Sequence, residues 1–160
     1  MDEHGRRVTV ITGASRGIGA ATALHLAGAG HDLAIGYLRD RDAAERVVAL
    51  AAARGARAVA VQADVTDDAQ VDRLFDTAGE HLGPVTGVVT NAGATLHVGD
   101  LADTPVDVLR RVLDLNLTAV LLCCRRAAQG MSARRGGSGG AIVNVSSAAA
   151  TLGAPHEYVH

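Results

Sequence analysis

Aromatic side chains are scarce in this 160-residue sequence, which has no tryptophan, one phenylalanine (Phe75) and two tyrosines (Tyr37 and Tyr158). Its 48% hydrophobic content is mostly Ala, Val and Leu. Such small side chains suit thin interlocking layers, with helices laid on a sheet. The length fits one domain, 1–160, with its own core. A dominant charge is also lacking. A net charge of −2 argues against a nucleic-acid or anionic-membrane partner. The pairs Arg125–Arg126 and Arg134–Arg135 are too isolated for a phosphate-backbone footprint and read as solvated helix ends. No run approaches the ~18 apolar residues that span a bilayer. The charged stretch 1–10 has no apolar core of a secretory signal. There are two cysteines, Cys123 and Cys124, adjacent in an apolar helical run. Neighbouring cysteines seldom bridge each other, so buried thiols in a reducing cytoplasm are expected rather than a disulfide or a metal site. His97, His156 and His160 have no carboxylate or nucleophile at a telling spacing and read as surface residues. The last two are spaced i,i+4, but Pro155 and the want of further ligands argue against a metal.

What is present is alternation. Short Val- and Ile-rich runs at 7–12, 32–37, 57–63, 85–91 and 141–146 read as strands. Few of them alternate strictly, as expected of parallel strands covered on both faces. Between them, 17–28, 41–54 and 67–82 carry one-sided apolar stripes that suit helices covering a sheet. Thr104–Pro105 offers an N-cap and a first helical residue. The helix it opens, over 105–134, is apolar around much of its girth near 112–124, so it needs neighbours on more than one side. Gly136–Gly140 reads as a loop. The order βαβαβαβαβ implies an α/β, doubly wound parallel sheet of the Rossmann type with strand order 3-2-1-4-5.

The first strand runs into Thr12-Gly13-Ala14-Ser15-Arg16-Gly17-Ile18-Gly19, which opens a helix. Glycines there let the backbone turn sharply toward a pyrophosphate, and the helix N-terminus offers free N–H groups. The spacing is GxxxGxG rather than the generic GxGxxG. With its leading Thr, it resembles the signature turn of the short-chain dehydrogenases/reductases. Four further strings match that family in order. Asp64-Val65 resembles the pair at the adenine ring, and Asn91-Ala92-Gly93 the motif bordering the cofactor. Asn116 resembles the asparagine that holds a proton-relay water. Ser146-Ser147 resembles the active-site serine segment, with Ser147 at the catalytic position. Read alone, Asn116 also fits a backbone hydrogen bond across a helix kink, and the two serines fit a capping pair.

The resemblance implies an NAD(P)-dependent oxidoreductase acting on a small-molecule alcohol or ketone, with cofactor contacts at Gly13, Ser15, Arg16, Gly17, Ile18, Gly19, Tyr37, Arg39, Asp64, Val65, Asn91, Ala92 and Gly93. It also implies a homodimer or homotetramer for the complete protein. No acid closes the second strand at Tyr37, while Arg16 and Arg39 are placed to pair a 2′-phosphate, so NADP is expected over NAD despite the nearby Asp40 and Asp42. The family's general acid or base is a Tyr in Tyr-x-x-x-Lys, whose spacing from the serine falls at or just past His160. Tyr158 therefore reads as a loop residue. A non-catalytic nucleotide-binding module is the alternative. A sugar-nucleotide epimerase would carry GxxGxxG, and a methyltransferase would want an acid at the Tyr37 slot.

Overall fold

The computed structural model describes residues 5–153 and His156. Five parallel strands form one sheet: β1 (Arg7–Ile11), β2 (His31–Tyr37), β3 (Ala58–Gln62), β4 (Val85–Thr90) and β5 (Ala141–Asn144). Their order is β3-β2-β1-β4-β5, as the alternation predicts. β1 is central, pairing β2 on one side and β4 on the other, with a register break between Val8 and Thr9 on the β4 side.

Helices cover both faces. α1 (Gly17–Gly28) and α2 (Arg41–Ala52) share one core with Ile11, Leu33 and Ile35. α3 (Asp68–Leu82) and α5 (Ala119–Met131) share the other with Val8, Val10 and Val88. Arg126 departs from the solvated-end reading. Its guanidinium bridges from α5 to Asp72 (3.2 Å) and Asp76 (2.6 Å) on α3 and lies 5.7 Å from the Phe75 ring centre. That triple contact needs three residues on the facing helix, which spacing within 119–131 does not reveal.

The apolar segment expected as one helix over 105–134 is interrupted. α4 (Val106–Leu113) runs into a π-helical turn, Asp114–Thr118, and then α5. The Thr104 hydroxyl does not cap α4. It donates to the Asp100 carbonyl at 2.9 Å, and Pro105 itself stands at the N-cap. Val112 is buried, while Leu113, Leu117 and Leu121 are exposed, so the sheet covers only one side of this segment. A last short helix, α6, is Ala149–Leu152. Cys123 is buried and Cys124 half-buried. Burial, and secondarily the adjacent Cys124, push the Cys123 thiol up to about 12, which leaves it inert as a nucleophile at neutral pH.

At the amino ends of the strands, away from the glycine turn, Asp32 is wholly buried. It accepts from Arg6 Nε (2.8 Å), Arg57 Nε (2.7 Å) and the Arg57 amide (2.9 Å), so its charge is met on several sides. Next to it, His31 is held below its ordinary range by burial and by Arg7 and Arg6. Among the described residues no helix is long and apolar enough to cross a membrane.

Candidate active site

A cleft of about 1570 Å³ runs along the carboxyl ends of the strands. Its centre is the turn between β1 and α1. Gly13 has φ +62, and a Cβ there would stand 2.9 Å from Ala92 Cα, so the turn packs directly on the segment after β4. Gly17 has φ +57 and open space where a Cβ would stand. A side chain at either position would meet backbone strain, and at Gly17 it would fill the cleft.

Thr12 and Asn91 lock these two loops together. Thr12 Oγ1 accepts from the amides of Asn91 (2.9 Å) and Ala92 (3.0 Å). In return Asn91 Nδ2 donates to the carbonyls of Thr12 (3.0 Å) and Gly13 (3.1 Å). The strings TGASRGIG and NAG, read separately in the sequence, are thus one structural unit.

α1 differs from α2 and α3 at its N-terminus. Asp40 caps α2 by accepting from Ala43 N–H (2.9 Å), and Asp67 caps α3 by accepting from Gln70 N–H (3.2 Å). α1 has Arg16 at its N-cap, no side-chain cap and no acid in its first turn. The N–H groups of Gly17, Ile18 and Gly19 meet no acceptor among the described residues. An uncapped positive helix end facing a cleft is a ready anion site. The donor set and the space at Gly17 therefore fit a dinucleotide pyrophosphate.

Gly13, Ser15, Arg16, Gly17 and Ile18 line the cleft, as do Tyr37, the last residue of β2, and Arg39 just beyond it. Asp64 and Val65 do so after β3, and Asn91, Ala92 and Gly93 after β4. Gly19 stands apart from the cleft wall. A Cβ there would come within 2.6 Å of both Asn91 Nδ2 and the Gly13 carbonyl, so its task is to let α1 close on the turn. Asp64 Oδ1 is engaged by Thr66 through its amide (3.0 Å) and hydroxyl (2.7 Å), which fixes the loop after β3. Arg16 and Arg39 are exposed and have no ion-pair partner among the described residues.

Asn116 lies in the π turn and faces the cleft. Its Oδ1 accepts from Ala94 N–H (3.1 Å) and its Nδ2 donates to the Ala94 carbonyl (3.0 Å). The backbone bond offered by the residue-level reading is therefore real, though it reaches a separate loop rather than across a kink. Ser146 and Ser147 both line the cleft. Ser147 Oγ accepts from Ala149 N–H (3.1 Å), which leaves its own proton free to point elsewhere.

Sequence reasoning missed the walls formed by Thr95, Leu96, Val145 and Leu152, which match no motif. It also missed that His156 reaches Asp100 (2.8 Å) and accepts from Gly99 N–H (2.7 Å), a pairing across 56 residues with no local signal. His97 is half-buried, its ring over Gly99, rather than at the surface. Tyr158 and His160 lie outside the described residues. The 15 basic side chains of the Lys and Arg class are all arginine, so no Tyr-x-x-x-Lys occurs in these 160 residues.

Comparison with known proteins agrees with this geometry. The family model described as short chain dehydrogenase matches residues 7–159. An uncharacterized oxidoreductase of Escherichia coli, YgfF, is 43% identical over 95% of this chain and 62% of its own length. A 3-oxoacyl-acyl-carrier-protein reductase of Synechocystis is 38% identical over 93% of this chain and 59% of its own length. Among solved structures, an NAD+-bound xylitol dehydrogenase superposes with a TM-score of 0.88 at 30% identity, covering 96% of this chain and 57% of that one. A short-chain dehydrogenase/reductase variant of Serratia marcescens gives 0.86 at 31% identity, covering 96% and 60%. The chain thus spans about three fifths of the length of the relatives it matches. With its glycine turn, its 3-2-1-4-5 sheet and this match over nearly all its residues, the chain belongs to the short-chain dehydrogenase family.

Proposed function

We propose that this chain is the cofactor-binding part of an NADP(H)-dependent oxidoreductase that interconverts an alcohol and a carbonyl compound. The carrying observation is the charge at the β2 end of the cleft. Arg16 and Arg39 line it with no ion-pair partner among the described residues, and Asp40, which lines it too, has its carboxylate engaged in capping α2. Asp42 lies within α2 and does not line the cleft. Two guanidinium groups favour a 2′-phosphate, and no acid closes β2 to bind a bare ribose hydroxyl.

When bound, the nicotinamide dinucleotide supplies the hydride donor or acceptor. The residues of this chain hold and orient. The free N–H groups of α1 receive the pyrophosphate, and Asp64 and Val65 border the adenine. Ser147 directs its free proton at the substrate oxygen and stabilises charge developing there. Asn116 keeps the loop at Ala94 in place beside it. An unperturbed Tyr, with a pKa of about 10, transfers protons poorly near neutral pH without a neighbouring cation. The proposal therefore assigns proton transfer to a Tyr-x-x-x-Lys outside these 160 residues. A homodimer or homotetramer in a reducing cytoplasm completes the reading, in keeping with the free thiols of Cys123 and Cys124.

Fluorescence titration with NADPH and NADH checks the cofactor. NADPH is expected to bind more tightly, and Arg39→Ala to weaken NADPH about tenfold, the loss of one charge-assisted hydrogen bond, while leaving NADH unchanged. Tighter NADH binding in the wild type rejects the preference. The 160-residue product alone is expected to bind NADPH without turning over any carbonyl substrate. Turnover abolished by Tyr158→Phe would instead make Tyr158 the proton donor.

A further inference from the structure

Two loops wall the cleft on its β4–β5 side. The one after β4 contributes Ala94, Thr95 and Leu96, and the one after β5 contributes Ser147, Leu152 and Gly153. The first is anchored at both ends. Asn116 holds Ala94 through two hydrogen bonds, at 3.1 and 3.0 Å. At the other end the Asp100 carbonyl accepts from the Thr104 hydroxyl (2.9 Å) and the Asp103 amide (3.1 Å), and Thr104 is buried just before α4.

The second loop leaves the sheet where the Val145 amide donates to the Thr90 carbonyl (3.0 Å). Further along, His156 meets the first loop twice. Its ring Nδ1 lies 2.8 Å from Asp100 Oδ1, and its carbonyl accepts from Gly99 N–H at 2.7 Å. Neither Asp100 nor His156 lines the cleft itself. His156 also holds φ +62, a left-handed conformation that a side chain other than glycine keeps only where its surroundings fix it.

We propose that Asp100 and His156 are positioning residues that clasp the two loops, and through them set Ser147 and its wall against the nicotinamide end of the dinucleotide. The proposal rests on reading the cleft as a dinucleotide site. With the pyrophosphate on α1 and the adenine at Asp64 and Val65, the nicotinamide end falls on the β4–β5 side, between these loops. The side chains of His156 and Asp100 are 59% and 63% exposed, so their contact is worth at most about a fivefold change in an equilibrium. That is too little to hold the fold, and its effect is local. Because the first loop is anchored independently by Asn116 and Thr104, the partner that shifts when the clasp opens is the loop carrying Ser147.

Calorimetry tests this without requiring turnover. The protein, expressed from its complete coding region, is titrated with NADPH and with adenosine 2′,5′-bisphosphate, which carries the adenosine half and no nicotinamide. His156→Gly adopts the same backbone conformation and removes the ring. His156→Asn tolerates that conformation and places an amide nitrogen where Nδ1 stands. His156→Gly and Asp100→Ala are each expected to weaken NADPH about three- to fivefold, to leave the bisphosphate unchanged, and together to weaken NADPH no further than either alone. His156→Asn is expected to bind NADPH as the wild type does. Unchanged NADPH affinity in both single variants, equal weakening of the bisphosphate, additive losses in the double variant, or a loss in His156→Asn as large as in His156→Gly overturns the clasp and leaves the cofactor reading standing. Failure of the wild type to bind either nucleotide overturns the reading beneath it.

Discussion

Two glycines of the same helix show how position decides what a residue does. By helix propensity alone, Gly→Ala within α1 gains up to about 1 kcal/mol. At Gly28 nothing lies within 4 Å of an added Cβ, so Gly28→Ala is expected to stabilise the fold by up to about 1 kcal/mol. At Gly19 the added methyl meets the Gly13 carbonyl and Asn91 Nδ2 at 2.6 Å. The carbonyl is backbone and cannot swing aside, so the overlap outweighs the propensity. Gly19→Ala is expected to cost about 2 kcal/mol and to weaken NADPH binding by displacing the Gly13 turn. Urea melts of both variants give the comparison, and a Gly19→Ala protein as stable as wild type would refute the packing account. The sequence motif made both ends of this turn legible. It did not separate Gly17, which faces the cleft, from Gly19, which faces Asn91, because that difference depends on a partner 72 positions further along.

Among the elements, the glycine-bounded strands and one-sided helices were readable because each has a period and a stop signal. The five strand runs predicted at 7–12, 32–37, 57–63, 85–91 and 141–146 all become strands of the sheet; four end one or two residues earlier, and β2 ends at Tyr37 as predicted. The π turn at Asp114–Thr118 was not readable. One wider turn inside an apolar helical run changes no residue type, and Leu113, Leu117 and Leu121 keep a helical spacing through it. Its placement is tied to Asn116, whose amide reaches Ala94 from there. Such turns often mark functional positions in helices. Asn116→Ala removes both bonds to Ala94, each worth about 1 kcal/mol net. Amide exchange over 94–100 is expected to quicken about tenfold or more, with β1 and β4 unaffected. Unchanged exchange there would remove Asn116 from the support of this loop.

On the scale of the whole molecule, burial is lopsided. β1 and β2 are almost wholly covered, whereas β5 is exposed at every residue, Ile142 and Val143 included. With Leu113, Leu117 and Leu121 they are five of the fourteen large apolar side chains exposed among the described residues. Covering one Leu or Val contributes roughly 1.5–3 kcal/mol, a large part of a ~5–15 kcal/mol net stability, and uncovered apolar patches promote association. The need for cover on more than one side of this helix was legible in its apolar girth. The bareness of β5 was not, since its Val and Ile content reads as a buried strand. The 160-residue product is expected to self-associate in light scattering, and Leu117→Arg with Leu121→Arg to reduce that association. A monodisperse monomer with a cooperative melt would contradict this.

The bond between Thr12 and Asn91 also has a consequence in time. It joins positions 79 residues apart, so the glycine turn acquires its shape only after β4 has docked beside β1. Closing so long a loop is entropically costly and slow compared with forming the local helices. During synthesis the turn emerges within the first nineteen residues, yet it must wait for Asn91 before it becomes a binding surface. Under the proposed function nucleotide binding is therefore a late event in folding, and a ligand that selects this turn would stabilise the docked sheet as a whole rather than one loop.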